Sequence, residues 1–563
     1  MKRIDISLIL SAVLLSLGCV SCDFLSFDET DGLKTKEDMY RYFNTTEQML
    51  SNVYSYMPKD LGAVAGAMRD CACDDAEYGD NGAQVQWFNN GSWSAVNTVD
   101  DAWGLYYGIR AANGFIEEVS KVDFSRYEHD PQYDNWMRKL AYFPYEARVL
   151  RAHYFFELAR RYGDIAMPLE VLDKDGANAI GKTSFEEVIE FIVSECDECA
   201  PQLPDSYIDE PGAQVGRVTR GFAMAVKSKA LLYAASPLHN DTADPDKWKR
   251  SARAALDIIQ SGLYSLDPDG CVNDISSPEV VMMVIGGDSR DFELKNFPVR
   301  FTEGQRNGAT ATFPSQNLVD AFETINGFPV SLENSGWTSD DPEFDSQRPY
   351  DNRDPRFYRT VLANGMSFKG SEIEVFEGGA DFAEVTAGGS PTGYFLMKYI
   401  QETTSFSPDR TVTNKHHWVV YRYAETLLAY AESMLGAFGS PDYTDSEYQY
   451  SALWALNQVR ENAGMPLVQS SDNESFVDKL RNEWRVEFAF EDHRFWDVRR
   501  WKIGDETQRE LIGVSIRKDA DGRLDYYRQV RENRKWTDRM YFYPIPQSEL
   551  FKNRNLYPQN TGW

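Results

Sequence analysis

The 563-residue sequence predicts a mainly α-helical protein with an irregular, loop-rich part that carries short strands. Two observations predict this. Helical apolar periodicity recurs in long segments before residue 266 and again after 417. Between them, residues 267–410 are rich in Gly, Pro, Asp and Ser, and their apolar runs are too short for long helices.

At the N-terminus, Lys2 and Arg3 precede an apolar run from Ile6 to Leu17. That run is shorter than the ~20 residues a membrane span needs, so residues 1–21 read as a signal peptide. Gly18-Cys19 and Ser21-Cys22 follow. A small residue before a cysteine at this place suggests lipoprotein processing, with a diacylglycerol thioether on the sulfur and a palmitate-type acyl chain on the new amine. Either cysteine could serve.

Along the chain, 101–121 reads as helix, with Trp103, Tyr106/Tyr107, Ile109/Arg110, Asn113 and Ile116 at helical spacing. In 146–162 one stripe runs through Ala147, Leu150, Tyr154, Leu158 and Tyr162; Arg148, Arg151, Arg160 and Arg161 lie mostly off it, and Gly163 is the expected left-handed cap. Segments 218–236, rich in alanine, and 246–266, from Trp248 to Gly262, read as a close-packed pair. Such antiparallel pairs resemble tetratricopeptide repeats, with irregular spacing. The middle contributes loops, short strands such as VVMMVI and YFLMKYI, and minor helices. Helix is expected again at 417–437, where Val420, Tyr423/Ala424, Leu427, Ala431 and Leu435 share a face, then at 450–463 and 475–501. The charged stretch 505–540 reads as a solvated loop. Pro544 and Pro546 preclude a strand interior, so the remainder is an ordered tail lying on the body.

Composition excludes some functions. A net charge of −30 argues against nucleic acid, whose phosphates need Lys and Arg, and against a polybasic membrane patch. Most of the 13 Trp, 31 Tyr and 32 Phe must be core, but so many leave room for exposed stacking platforms. Beyond the leader, Cys71, Cys73, Cys196, Cys199 and Cys271 read as unpaired or locally paired structural residues. Cys196 and Cys199 sit on adjacent turns of an expected helix, which disfavours a four-thiolate zinc site with Cys71 and Cys73. Asp70, Asp74, Asp75 and Asp80 cluster hard oxygens without a calcium loop, so no metal and no cofactor is assigned. No nucleophile, zinc-protease or phosphate-loop motif appears, and the adjacent His416-His417 form no ready chelate. The chain therefore reads as a non-enzyme with no catalytic residue.

Four motifs carry a family resemblance. EARVLRAHYFFELARRYGDIAMPL (146–169) is nearly a family signature. LRNEWRVEFAFEDHRFWDVRRW (480–501) supplies Glu483, Glu487, Glu491, Arg494, Asp497, Arg500 and Trp501, with Trp484 where Arg is usual and Asp492 where Gly is usual. The tail from Pro544 to Trp563, and VVYRYAETLLAYAES, complete the match. Together they resemble the SusD/RagB family of nutrient-binding surface lipoproteins across the whole mature chain. The resemblance implies a SusD-like fold on tetratricopeptide-like helix pairs: a helical part at 22–266, and a second part at 267–563, loop-rich to 410, helical over 411–504, then the tail. It favours Cys22 over Cys19, because Cys22-Asp23-Phe24-Leu25 matches the usual mature start. It also implies an outer-membrane, cell-surface location, a partner SusC-like TonB-dependent transporter, and an oligosaccharide ligand. A RagB-like peptide ligand is the alternative within the family, and a surface glycoside hydrolase the alternative outside it. The motif acids and arginines, with Asp354 and Arg356, read as a buried ion-pair network that fixes the helices.

Sugar rings need exposed aromatic planes flanked by amides and charges. The glycine-marked segment 70–93 offers Tyr78, Trp87 and Trp93 with Asn89 and Asn90, and Trp337 sits in a turn-like NSGWTSDD. These six are the expected ligand residues. Phe292, Arg300, Phe313 and Tyr350 join Trp337 as a possible second wall.

Overall fold

The computed structural model describes residues 35–208, 214–305, 311–469 and 472–563. The leader, with Cys19 and Cys22, lies outside them. The long helices are α1 (Phe43–Tyr54), α2 (Leu105–Val119), α3 (Tyr133–Tyr162), α4 (Phe185–Cys199), α5 (Arg220–Ala235), α6 (Pro245–Ser261), α7 (Tyr423–Phe438), α8 (Ala452–Asn462), α9 (Asn473–Glu487) and α10 (Arg494–Arg500), with a short α11 (Gln547–Lys552) in the tail. The strands that matter here are β1 (Ala76–Tyr78), β2 (Val280–Val284), β3 (Thr312–Pro314), β4 (Val330–Glu333), β5 (Gly336–Ser339), β6 (Trp418–Arg422), β7 (Glu510–Lys518) and β8 (Leu524–Asn533). Among the described residues every sheet is two-stranded, and the architecture is mainly α.

The helices stack in series. From α2 to α9, each packs on its chain neighbour, the nearest-neighbour logic of a helical-repeat scaffold. Local chemistry sets the ends. Ser184 and Glu187 close a reciprocal capping box on α4. Asp244 caps α6 ahead of Pro245, and Gly262 ends it at φ +64°. Helices α5 and α6 pack on each other, and their alanines Ala223, Ala230, Ala252 and Ala255 are fully buried.

Helix α3 is the spine. Its expected apolar stripe is buried throughout, but so are Arg151, Arg160 and Arg161, contrary to the single-stripe reading. Neighbours cover more than one side, so the guanidiniums are charge-paired instead of solvated: Arg151 with Glu195 (2.8 Å), Arg160 with Glu157 (2.7 Å), and Arg161 with Glu157 (2.9 Å) and Asp100 (3.3 Å). Gly163 ends the helix at φ +69° but ψ −105°, outside the left-handed helical region expected of it.

Three more expectations need correction. Residues 418–422 are strand before α7 begins: Trp418, Val419 and Tyr421 suit a pleated surface, and β6 pairs antiparallel with β2. The segment 475–501 is two helices, broken where Phe490 and Asp492 both adopt φ +62°. The expected loop at 505–540 contains the longest hairpin, β7–β8. Its inner strand buries Leu511, Ile512, Val514 and Ile516, while β8 faces outward and carries the charges that read as solvated. The tail holds no regular strand and lies on the body as expected. All five described cysteines are free and buried. No helix among the described residues is long and apolar enough to cross a membrane.

Candidate functional site: an aromatic cleft at the start of α2

The motif charges form a buried lattice. Arg356 pairs with Asp354 (2.7 Å), Glu483 and Glu487 (2.8 Å). Arg422 pairs with Glu279 (2.6 Å), Glu487 (2.6 Å) and Glu491 (2.8 Å). Arg494 holds Asp74 at 2.9 Å, Arg500 holds Asp497 at 2.7 Å, and Trp501 Nε1 donates to Glu432 at 2.8 Å. Burial alone would raise the Glu487 carboxyl, but Arg422 and Arg356 outweigh it and hold it near 2. A cavity of about 340 Å³ opens over this lattice. Its carboxylates and guanidiniums already satisfy one another, so it has few free groups for a ligand.

The structure separates the six expected ligand residues. Tyr78 is buried in β1, opposite Thr312 of β3. Asn89 is buried and spends its amide on Cys71 O (3.0 Å) and Gln86 Oε1 (2.7 Å). Trp93, 1 % exposed, packs edge-on against Tyr543 (5.1 Å) and Trp563 (4.6 Å). Trp337 is buried on β5 against Tyr350 (5.6 Å) and Tyr526 (6.1 Å). These four side chains are therefore not the exposed platforms expected of them: Trp93 and Trp337 are covered by aromatics from distant segments, Tyr78 lies in a buried strand pair, and Asn89 is spent on neighbouring groups. Trp87 is half-buried and Asn90 exposed, both on the short helix Gln86–Asn90. Of the second wall, Phe313 and Tyr350 are buried and Arg300 is tied to Asp381 at 2.8 Å.

Exposed aromatic surface gathers elsewhere. Trp103, Tyr106 and Tyr107 stand at the start of α2 and line a cleft of about 280 Å³, near the lower end of small-molecule pockets. Tyr107 is 61 % exposed, and Trp103 and Tyr106 are half-buried. The rings brace one another, with Trp103 5.0 Å from Tyr106 and edge-on to Tyr162 at 5.4 Å. Tyr106 donates its hydroxyl to Ala166 O (3.1 Å); burial raises its pKa, so the phenol stays a neutral donor.

The second wall is backbone held by side chains. Asn113 Nδ2 donates to Pro168 O and Glu170 O, both at 3.0 Å, and Arg151 fixes Asn113 Oδ1 at 2.7 Å. Arg110 reaches Leu172 O. The tail closes the third side: Asn553 donates to Ile180 O (2.8 Å) and Asn555 to Ala179 O (2.6 Å), bringing Glu549 and Lys552 of α11 to the rim. Apolar ring faces with a rim of Arg110, Asn178, Glu549 and Lys552 suit a ligand with C–H faces and hydroxyl edges.

A larger groove of about 630 Å³ between α1 and β2 lacks this character. Leu50, Met57 and Met282–Ile285 line it, and its one aromatic, Tyr54, gives its hydroxyl to Glu146. The sequence pattern places Trp103, Tyr106 and Tyr107 on a helix without marking them as a site. The available signal is Tyr106-Tyr107: consecutive helical residues point about 100° apart, so both cannot face one core.

Known proteins match this chain along most of its length. The SusD family model matches residues 278–563. A SusD-like protein, P2, of Formosa agariphila is 23 % identical over 87 % of this chain and 86 % of its own. A crystal structure of a SusD-like protein from Bacteroides fragilis superposes with TM-score 0.77 at 25 % identity, covering 94 % of this chain and 99 % of that one. A second B. fragilis structure, described as a SusD-like carbohydrate-binding protein, gives TM-score 0.72 at 23 % identity, over 92 % and 100 % of the two chains.

Proposed function

This chain belongs to the SusD family, and from that premise we propose that it is a lipid-anchored, cell-surface glycan-binding protein. It captures oligosaccharides and delivers them to a SusC-like TonB-dependent transporter in the outer membrane. The observation that carries the reading is the cleft at the start of α2, where Tyr107 stands 61 % exposed beside Trp103 and Tyr106. An exposed aromatic plane beside amides and charges is what a sugar face requires, and Tyr107 supplies one next to the mutually braced Trp103 and Tyr106. The carbohydrate-binding description of the second B. fragilis relative agrees with that chemistry. Trp87 and Asn90, which do not line this cleft, are a separate, secondary ligand contact in this proposal.

We further propose binding without turnover. The motif carboxylates that could suggest hydrolysis are engaged by arginines, and glycoside hydrolysis needs a free pair flanking the bond. The test is a glycan array run beside an immobilised peptide library, with product analysis of each bound glycan. Selective retention of intact glycans supports the proposal. Retention of peptides alone, or appearance of cleaved sugar, contradicts it.

A further inference from the structure

The turn that leads into β1 holds three donor groups that none of the ion pairs above explains. Asp70, Cys73 and Asp75 are all buried, Asp70 at 1 % exposure and the other two at 0 %. Each offers one ligand atom, and these atoms lie within 4.8 Å of one another. Asp70 Oδ1 accepts from Phe490 N (3.1 Å) and Asp75 Oδ1 from Arg485 Nε (2.7 Å). Oδ2 of each carboxylate has no partner. An unpartnered oxygen on a buried carboxylate is costly, and here there are two.

Most nearby cations are already engaged; Arg499 donates to Phe495 O (2.9 Å) and forms no ion pair among the described residues. Arg494 goes to Asp74 (2.9 Å), and Arg485 is shared between Asp74 (3.0 Å) and Asp75 (2.7 Å). Arg69 is held by Asp60, Asp100 and Asp492, and Arg534 by Glu77 and Glu532. Among the described residues Asp70 has no ion-pair partner.

We propose that Asp70, Cys73 and Asp75 bind one divalent transition-metal ion of the zinc class. Two carboxylate oxygens and a thiolate are a zinc-type donor set, and bonds of ~2.0–2.3 Å let one ion reach donors spread this closely. The sulfur disfavours calcium and magnesium, which take oxygen ligands. On binding, the Cys73 S–H bond breaks, a sulfur–metal bond forms and the proton leaves to solvent. The ion would pin the 70–75 turn against the α9–α10 break at Phe490. Asn89 also ties to Cys71 O (3.0 Å), so the ion would steady the short helix that carries Trp87.

The test uses the full chain, loaded with Zn²⁺ and desalted, with metal counted by plasma mass spectrometry, and Co²⁺ loaded in parallel for its absorption spectrum. The proposal predicts one zinc per chain, a thiolate-to-cobalt charge-transfer band, and at least tenfold weaker binding in Cys73→Ser and Asp70→Asn, with the band lost in Cys73→Ser. Substoichiometric zinc in the wild type, cobalt without the thiolate band, or variants that hold the ion as the parent does would each overturn it. Should a variant fail to fold, the wild-type stoichiometry and band decide alone. A higher melting temperature for metal-free Asp70→Asn, with no zinc retained by the wild type, would also overturn it, because protons and not a metal ion would then neutralise the buried carboxylates.

Discussion

Trp93 and Tyr107 show how one residue class divides between two roles. Both are large aromatics near loops or helix ends. Trp93 is enclosed by Phe88, Tyr543 and the C-terminal Trp563, whereas Tyr107 faces solvent on α2. Trp93→Ala should therefore cost ~3–5 kcal/mol of stability through cavity formation, measured by denaturant unfolding; a cost under about 1 kcal/mol would contradict the burial. The sequence shows which residues are aromatic, not which neighbours will cover them. The covering residues of Trp93 lie far along the chain at Tyr543 and Trp563, so no local pattern could reveal its burial. Asp492 was legible in part. It replaces a glycine in the motif and adopts φ +62°, where glycine is at ease. Its carboxylate pairs with Arg69 and Arg160 (3.1 Å), a partnership glycine could not make.

At the scale of elements, the sequence served best where period and caps agreed. Helices α2, α5 and α6 lie close to their expected spans because apolar spacing, alanine runs and Gly262 all point the same way, whereas α3 ends where expected but begins at Tyr133, well before residue 146. It failed where a strand abuts a helix. Residues 418–422 continue the helical spacing of α7, but pairing with the distant β2 decides their conformation. Hairpin β7–β8 was hidden because its outer strand is charged. The ion-pair lattice between elements predicts an acid limb in stability. Glu157 and Glu425, like Glu487, are pulled by burial toward higher pKa but held near 2 by cations: Arg160 and Arg161 for Glu157, Lys229 and His493 for Glu425. A depressed carboxylate stabilises the fold above its unfolded pKa and loses that contribution as pH falls through its folded pKa. Burial lowers His153 to about 4 and His239 to about 3, which acts in the same direction once the unfolded imidazoles charge. Burial raises Asp60, Glu77 and Asp320, and these carboxyls oppose the histidines above their ordinary range near 4, where the two sets offset each other, but not below it. Melting temperature should therefore change little from about pH 7 to 5 and drop steeply below about 4. A protein that melts equally high at pH 3 and pH 7 would show that the lattice contributes nothing to stability.

For the whole molecule, a stack of helices supports loops and a tail that together shape one aromatic cleft. The fold was legible because family motifs lie along the whole chain; the cleft was not, because its walls come from α2, the segment after α3 and the C-terminal tail. The surface location is testable by substitution: Cys22→Ser should abolish lipid labelling and release the protein, whereas labelling lost only on Cys19→Ser would assign the anchor to Cys19. The central claim is that the cleft captures a glycan through Tyr107 and its neighbours. It is tested most directly by affinity electrophoresis of wild type and Tyr107→Ala through gels containing soluble polysaccharides, beside a melting curve of each. Removing an exposed ring that a ligand covers should cost ~1.5–3 kcal/mol of binding, at least tenfold in affinity. The account predicts that some polysaccharide retards the wild type, that Tyr107→Ala migrates almost freely in the same gel, and that the two melt alike; equal retardation of both proteins would contradict it.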